Sequence, residues 1–170
     1  APGFVANRIL IPMINEVIDI PLIAAGGIGC GKAMLASMVL GAEGVQIGSR
    51  FIASEECSAH INFKNKVVSA NEGETDLTLK ELTPVRLMKN NFHQKIQSAY
   101  SNNASKEELI NLLGKGRAKK GMFEGDLFEG ELEIGQVSAM IKEIIPANKI
   151  MSKIIEEFEQ EKTKVSDLNF

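Results

Sequence analysis

Two short, continuous apolar runs, each closed by a glycine-containing loop, restrict most strongly how this chain can fold. The run IPLIAAGG ends at Gly26 and Gly27, and the run GVQIGSRF reaches its loop at Gly48 and Ser49. Continuous rather than alternating apolarity predicts strands buried on both faces, as in a parallel sheet. Because the stretch KAMLASMVLGAE between them reads as a helix, the order of elements predicts successive βα units.

A further helix is predicted before the first strand. The stretch IPMINEVIDI, residues 11–20, has apolar residues three and four positions apart, and Pro12 suits a first helical turn. In the helix between the strands, Gly41 is the expected stop. The same spacing directs four of that helix's side chains inward, which are Met34, Leu35, Met38 and Val39.

Beyond Phe51 the alternation of strands and helices stops. Residues 54–161 are predicted to form a mostly helical segment, with β-branched and alternating character only around residues 77–79. Ser54 is expected to cap the first of these helices, because a serine hydroxyl can accept a hydrogen bond from an unpaired amide. The last helix is amphipathic, and residues 162–170 are expected to fray.

One helix of this segment carries signals at both of its ends. In SNNASKEELINLLGKG, Ser105 is followed three residues later by Glu108, which is the pattern of a capping box. Gly114 follows the last apolar residues and is the expected end of the helix.

Composition limits the classes of function. The chain has 170 residues, of which 44% are hydrophobic and 24% charged, as in an ordinary soluble domain. The net charge of −3 argues against a nucleic-acid partner, and no apolar run approaches the roughly 18 residues of a membrane span. Cys30 and Cys57 fall in different predicted elements, so we expect reduced thiols in a cytoplasmic protein and no metal site.

The two glycine loops together predict a phosphate site. A strand that ends in glycine lets the backbone approach a ligand, and its free N–H groups form an anion site where a helix begins. In an eight-stranded α/β barrel, the loops after the last two strands commonly build one phosphate site between them. The alternative, in which the glycines only form tight turns, stays open at this point.

Two better-known nucleotide motifs do not fit. GGIGCGKA matches G-x-x-x-x-G-K, but Ala33 stands where a P-loop has the hydroxyl that holds magnesium. A dinucleotide fingerprint needs G-x-G-x-x-G, whereas Gly27, Gly29 and Gly31 are spaced G-x-G-x-G.

The stretch DIPLIAAGGIGCGKAMLASMVLGAEGVQIGSRFIASEECSAHINFK resembles the FMN-binding half of the nitronate monooxygenase (2-nitropropane dioxygenase) family, which includes FMN-dependent enoyl-[acyl-carrier-protein] reductase II. GKGRAKKGMFEGDLFEGELEIGQVSAMIKEI is similar to the family's C-terminal segment, with its Gly-Gln before a helix. The resemblance covers nearly the whole chain. It implies an α/β barrel with an added helical domain and FMN at the C-terminal mouth of the barrel.

The resemblance also implies which residues bind FMN. Gly26 and Gly27 would give backbone amides to the flavin phosphate. Residues 46–49 would form the second half of the phosphate cradle, with the Ser49 hydroxyl donating to a phosphate oxygen. Gln136 corresponds to a glutamine that, in the family, approaches the flavin from the helical domain. These residues are Gly26, Gly27, Gln46, Ile47, Gly48, Ser49 and Gln136.

We therefore expect residues 1–53 to be part of an FMN-binding (β/α)8 TIM barrel, formed by its last two βα units. A complete barrel needs about 250 residues, so the chain is expected to be the C-terminal portion of a longer enzyme and poorly active alone. In the family the histidine base falls at or before Ala1, so no catalytic residue is assigned. The missing N-terminal half or self-association is the expected protein partner.

Several activities fit this resemblance. The parent enzyme is expected to oxidise alkyl nitronates with O2, and the alternative is reduction of an enoyl thioester with NAD(P)H. Both imply a small-molecule substrate and no nucleic acid or membrane. A non-catalytic module that binds a phosphate ligand, and a structural fragment without ligand, are the alternatives of another class.

Five remaining polar residues are expected to have structural roles. His60 follows SEECSA and could bond within its helix, while His93 lies on a lysine-rich stretch and is expected to be exposed. Glu56, Arg86 and Asn90 match family positions and are also expected to support the fold.

Overall fold

The predicted pair of parallel strands organises the first part of the chain. A computed structural model describes residues 7–168, in which β1 (Ile23–Ala25) and β2 (Gly44–Gln46) run parallel. Helix α1 (Asn7–Asn15) precedes β1, α2 (Gly31–Val39) connects the strands, and the short α3 (Ser49–Ile52) follows β2. The α/β class predicted from the two apolar runs is confirmed. Residues 1–6 and 169–170, which include Ala1 and the end of the expected frayed tail, lie outside the described residues.

Two details of the first helices differ from the prediction. Helix α1 begins before residue 11, so Pro12 lies inside it rather than in its first turn. In α2, Val39 is 73% exposed instead of buried. Val39 lies about 140° around the helix from Met34, at the edge of the apolar stripe, and its side chain therefore misses the core.

The segment expected to be mostly helical contains a β-hairpin. β3 (Thr75–Thr78) and β4 (Val85–Met88) pair antiparallel, at the place where β-branched character interrupted the helical pattern. The other elements of this segment are α4 (Ile61–Val68), α5 (Asn91–Ser101), α6 (Lys106–Leu113), a π-helical turn (Lys119–Phe123), a 3-10 turn (Gln136–Met140) and α7 (Ala147–Ser166).

The helix caps agree with the prediction at one site and not at another. Ser54 does not cap α4, because the helix begins only at Ile61. His60 is the cap, and its Nδ1 accepts a hydrogen bond of 3.1 Å from the Asn62 amide. Ser54 instead accepts from the Cys57 amide at 3.2 Å, inside the preceding turn.

The capping box of α6 is confirmed. The Ser105 hydroxyl accepts from the Glu108 amide at 3.3 Å, and the Glu108 carboxylate accepts from the Ser105 amide at 2.7 Å. Gly114 follows the last turn with φ of 66°, a left-handed conformation that suits glycine.

His93 is buried, contrary to the prediction that it is exposed. It is 5% exposed, and its Nε2 lies 3.2 Å from the Asp76 carboxylate on β3. Burial lowers the pKa of His93, and the neighbouring Asp76 carboxylate opposes this shift. Of the lysines that flank His93, Lys89 precedes α5 and also lies near Asp76, at 3.6 Å, while Lys95 pairs with Glu129. Both are exposed at the surface, so the local composition gave no sign that His93 is buried.

The polar residues expected to support the fold hold backbone groups. The Glu56 carboxylate accepts from the Ala147 amide at 2.8 Å, at the start of α7. Arg86 donates to the Thr75 carbonyl across the hairpin at 3.2 Å. The Asn90 amide donates to two carbonyls of the loop before residue 131, at 3.0 and 2.8 Å.

Three apolar clusters form the core. The α4 cluster is centred on Phe63 and Val67. The hairpin cluster consists of Leu79, Leu87, Phe92, Ile96 and Leu109, and the strand cluster consists of Ile11, Ala24, Ile28 and Ala42.

The surface around the strand cluster is unusually apolar. Within residues 7–168, β1 and β2 pair only with each other. Large exposed apolar patches on a protein often mark contact faces. The side chains around the strand pair that are more than half exposed are Ile9, Met13, Val17, Ile20, Ile23 and Val39.

No helix within residues 7–168 combines the length and the apolar composition that a bilayer crossing requires. Cys30 and Cys57 are both free thiols and are half-buried.

Helix α7 packs directly on the start of α2. A Cβ atom at Gly31 would lie 2.3 Å from the Phe158 amide nitrogen and 2.4 Å from the Ile154 carbonyl oxygen. The two backbones can therefore approach this closely only because residue 31 is glycine. Helix α7 continues to Ser166, so the prediction that the chain frays from residue 162 is wrong for residues 162–166.

We predict that Gly31→Ala lowers the free energy of unfolding by about 3 kcal/mol, since the new methyl group meets backbone atoms that cannot rotate away. Inside a helix this substitution ordinarily stabilises by roughly 0.5–1 kcal/mol. Urea unfolding followed by circular dichroism measures the difference. Gly48→Ala is the matched control, because its Cβ would meet nothing within 4 Å. Equal stability of the two variants would contradict the close α2–α7 contact.

Candidate phosphate site

The parallel strands bring the two glycine loops to one cavity. Ala25 pairs with Gln46 at the carboxyl ends of β1 and β2, so the residues that follow both strands lie at the same edge. The cavity there has a volume of about 270 Å³. Five of the seven residues implied by the family resemblance line it, which are Gly26, Gly27, Gln46, Gly48 and Ser49.

The glycines of this cavity face open space. Gly26 and Gly27 have φ of 91° and 73°, which side chains rarely adopt. A Cβ atom at Gly26, Gly27 or Gly48 would meet no atom within 4 Å. Backbone strain alone would explain the first two glycines as tight turns. It does not explain the open space or Gly48, whose φ is −107°.

The other glycines of the cluster serve packing. A Cβ at Gly29 would lie 2.5 Å from Cγ2 of Val137, and Gly31 touches the α7 backbone. The motif GGIGCG therefore divides into two glycines that face the cavity and two that allow other segments to approach.

Ser49 is fixed by the loop that carries Gln136. The Ser49 hydroxyl oxygen accepts from the Gly135 amide at 3.1 Å, which leaves the hydroxyl hydrogen free to donate. A Cβ at Gly135 would lie 2.8 Å from that oxygen, so this contact also depends on a glycine. Gly135 was not predicted as a site residue, although it stands directly before Gln136 in the Gly-Gln pair.

Gln136 and Ile47 lie outside the 270 Å³ cavity. Gln136 lines a neighbouring cavity of about 540 Å³, which Gly26 and Gly27 also line. Ile47 is half-buried and packs against the strand cluster. The side chain of Ile47 therefore serves the core, and only its backbone is available to a ligand.

Two residues of α1 near the site, Asn7 and Arg8, were not predicted from the sequence. The Asn7 side-chain amide donates to the Gly26 carbonyl at 2.7 Å and to the Ala25 carbonyl at 3.2 Å, which holds the first glycine loop. Arg8 lines the larger cavity together with Gly26 and Gly27. Neither residue belongs to a short motif, so only the fold reveals them.

The N-terminus of α2 is already occupied by an internal carboxylate. Oε2 of Glu157 accepts a hydrogen bond of 2.7 Å from the Gly31 amide. Lys32 lies 3.8 Å from Glu161 and 4.0 Å from Glu157, so it faces α7 rather than the glycine loops. The G-x-x-x-x-G-K match is therefore not used as a P-loop.

The arrangement suits binding rather than proton transfer. None of the residues that line the 270 Å³ cavity has a titratable side chain. Within residues 7–168, no group of three His, Cys, Asp or Glu side chains could hold a metal ion. What the cavity offers is backbone amides and one hydroxyl, which are donors suited to a phosphate group.

In α/β folds, glycine loops at the carboxyl ends of adjacent parallel strands frequently bind phosphate ligands. Residues 3–157 match the family model described as nitronate monooxygenase. The chain therefore belongs to the nitronate monooxygenase family, as the sequence resemblance predicted.

Individual relatives agree with this assignment. A probable nitronate monooxygenase of Staphylococcus aureus (strain JH9) is 34% identical over 151 residues, which cover 89% of this chain and 42% of the relative. FabK from Thermotoga maritima superposes with a TM-score of 0.86 at 36% identity, covering 96% of this chain and 52% of FabK. A nitroalkane oxidase from Streptomyces ansochromogenes gives a TM-score of 0.74 at 28% identity, over 95% of this chain and 46% of the oxidase. The chain thus spans about half the length of the proteins it matches.

We predict that Glu157→Ala lowers the free energy of unfolding by about 1–2 kcal/mol, because it removes the acceptor of the Gly31 amide at the start of α2. Glu157→Gln should lose less, since its amide oxygen can still accept. Urea unfolding and hydrogen exchange at the Gly31 amide measure both effects. Glu156→Ala is the control, because Glu156 is exposed on the same helix. If the Glu156 and Glu157 variants unfold alike, the Glu157 carboxylate does not cap α2.

Proposed function

We propose that this chain supplies the phosphate-binding part of an FMN-dependent oxidoreductase that oxidises alkyl nitronates with O2. The observation that carries the proposal is the single cavity onto which both glycine loops open, in a chain of the nitronate monooxygenase family. In this proposal residues 1–53 are the last two βα units of a TIM barrel, and residues 54–161 form the added domain.

The residues present fit a flavin phosphate. The open space at Gly26, Gly27 and Gly48 lets phosphate oxygens approach backbone amides without meeting a side chain. The Ser49 hydroxyl keeps its hydrogen to donate, because its oxygen is oriented by the Gly135 amide. Gln136, at the adjacent cavity, is placed to contact the part of the cofactor beyond the phosphate. Bound FMN would accept electrons from the substrate and pass them to O2.

The exposed apolar surface around β1 and β2 fits the rest of a barrel. Strands of a closed barrel have neighbours on both sides, whereas β1 and β2 have only each other among residues 7–168. We propose that the remaining βα units cover Ile9, Met13, Ile23 and their neighbours, and carry the catalytic base. Association of two copies through this surface is the other occupant to be tested.

Reduction of an enoyl thioester with NAD(P)H is the second candidate. The family resemblance includes such reductases, and the likeness to Thermotoga FabK is at least as strong as the likeness to the nitroalkane oxidase. The phosphate cradle described above would serve either reaction, because both use FMN.

We predict that FMN and inorganic phosphate both shift the backbone amide signals of Gly26, Gly27, Gly48 and Ser49 in a ¹⁵N-correlation NMR titration. Binding to the 170-residue chain should be weak, since the flavin ring lacks the remaining barrel. Ser49→Ala should weaken the phosphate response by roughly five- to twentyfold, which corresponds to about 1–2 kcal/mol for one hydrogen bond to a charged group.

Ser69→Ala is the matched control, because Ser69 is exposed and far from the glycine loops in the chain. Shifts confined to other regions, or an equal response of both serine variants, would argue against the cradle. A stoichiometric yellow complex of the isolated chain would instead show that the remaining barrel is not needed to hold FMN.

We predict that the whole enzyme containing this chain is bleached rapidly and anaerobically by propyl nitronate, and only slowly by NADH. Stopped-flow absorbance of the flavin measures both rates. Faster bleaching by NADH would favour the enoyl reductase over the nitronate monooxygenase, while leaving the phosphate cradle intact as a proposal.

A further inference from the structure

Residues 131–134 place two carboxylates on a face that is otherwise apolar. This segment, ELEI, is extended beside β4, where the Met88 amide donates to the Leu132 carbonyl at 2.9 Å and the Ile134 amide donates to the Arg86 carbonyl at 3.1 Å. Leu132 and Ile134 are buried in the α4 cluster. Because side chains alternate along an extended segment, Glu131 and Glu133 share the opposite face, towards the hairpin cluster.

Both carboxylates line a cavity between the hairpin and the end of α6. The cavity has a volume of about 240 Å³ and is separate from the glycine loops. Apart from the two glutamates and Thr83, its lining is apolar and consists of Leu79, Leu82, Pro84, Val85 and Leu113.

Glu131 is buried there without a partner. It is only 7% exposed, and within residues 7–168 its carboxylate makes no hydrogen bond or ion pair. Every fully buried side-chain oxygen or nitrogen in this part of the chain has a partner, so the Glu131 oxygens reach accessible space, which the cavity provides. A buried, unpaired carboxylate is costly to keep ionised.

The charged groups that face Glu131 do not neutralise it. Burial, and after it the charge of Glu133, raise the pKa of Glu131 to about 7. Arg117 opposes this shift, but its guanidinium is already committed to the Leu113 and Glu129 carbonyls and lies over the Phe92 ring. Among residues 7–168, the Glu131 carboxylate therefore has no cation paired with it, and the cavity could accept one from a ligand.

We propose that this cavity binds a primary ammonium group on a short aliphatic chain, with the carboxylates of Glu131 and Glu133 as its acceptors and the apolar walls around the methylene groups. An ammonium group has three donors, which can be shared between two carboxylates. No third His, Cys, Asp or Glu completes a metal site in the described part of the chain, which favours an ammonium ion over a divalent metal. The ligand could be a free alkylamine or the lysine side chain of a polypeptide, and both present the same chemistry.

Binding should depend on pH in a defined direction. Above a pH of about 7 Glu131 becomes ionised, whereas an alkylammonium ion, like lysine, stays charged to a pH of about 10. Affinity should therefore rise between pH 6 and pH 8, and we expect the dissociation constant to be at least fivefold lower at the higher pH.

The test is a ¹⁵N-correlation NMR titration of the 170-residue chain with n-butylammonium chloride at pH 8. We expect saturable shifts of the Leu79, Val85 and Leu113 amides. Glu131→Gln should raise the dissociation constant at least tenfold, and Glu133→Gln at least threefold. Glu107→Gln, on the exposed face of α6, is the control and should titrate like the wild type. The loss of a buried charge in Glu131→Gln is not expected to unfold the chain, and the wild-type pH dependence tests the site without any variant.

Further ligands distinguish the contribution of the ammonium charge from that of apolar contact. They also distinguish a free alkylamine from the lysine side chain of a polypeptide. n-Butanol and KCl should leave the three amides unchanged at the same concentration. Tighter binding of Nα-acetyl-lysine amide than of n-butylammonium would support a polypeptide lysine, and the reverse order would support a free amine. Equal shifts with n-butanol or KCl, an unchanged titration of Glu131→Gln, or no saturable shift at pH 8 would each overturn the proposal. None of these outcomes bears on the phosphate cradle, whose residues are different.

Discussion

The parallel pairing of two three-residue strands positions the candidate site. Since Ala25 lies opposite Gln46, each chain leaves the sheet at the same level, and the next residues of both strands border one cavity. A shift of one residue in this register would turn one loop away from the other. The proposed phosphate site thus depends on a hydrogen-bonded ladder that is only three residues long.

So short a ladder needs support from outside the sheet, and the rest of the chain supplies it behind both loops. The backbone of α7 presses on Gly31, and its Glu157 carboxylate holds the Gly31 amide. Asn7 holds the carbonyls of the first loop, and Gly135 contacts Ser49 of the second. Because an internal carboxylate takes the start of α2, the amides available to a phosphate are those of the loops themselves.

The sequence was informative where local physical rules decide the structure. Continuous apolar runs ending in glycine predicted β1 and β2, and the Ser105–Glu108 spacing predicted a capping box, because backbone geometry and short-range hydrogen bonds determine both. It was uninformative where the outcome depends on distant residues. His93 is buried by its contact with β3, and the α4 cap moved from Ser54 to His60 because the intervening turn is held by other loops. Two glycines of the GGIGCG motif face the cavity, whereas Gly29 and Gly31 make room for Val137 and α7. Because these partners are distant in sequence, no pattern around residue 30 reveals this difference.

The exposed apolar surface connects stability with binding in the first part of the chain. Six large side chains around the strand pair are each more than half exposed, and covering them would contribute on the order of 5 kcal/mol. That is comparable with the whole stability of many small domains. Ile23, one of the six, belongs to β1 itself, so an element that covers this surface would also contact the strand pair that aligns the two loops. Because a phosphate bound between the loops would favour the same strand pairing, covering the surface and binding a phosphate are expected to strengthen each other.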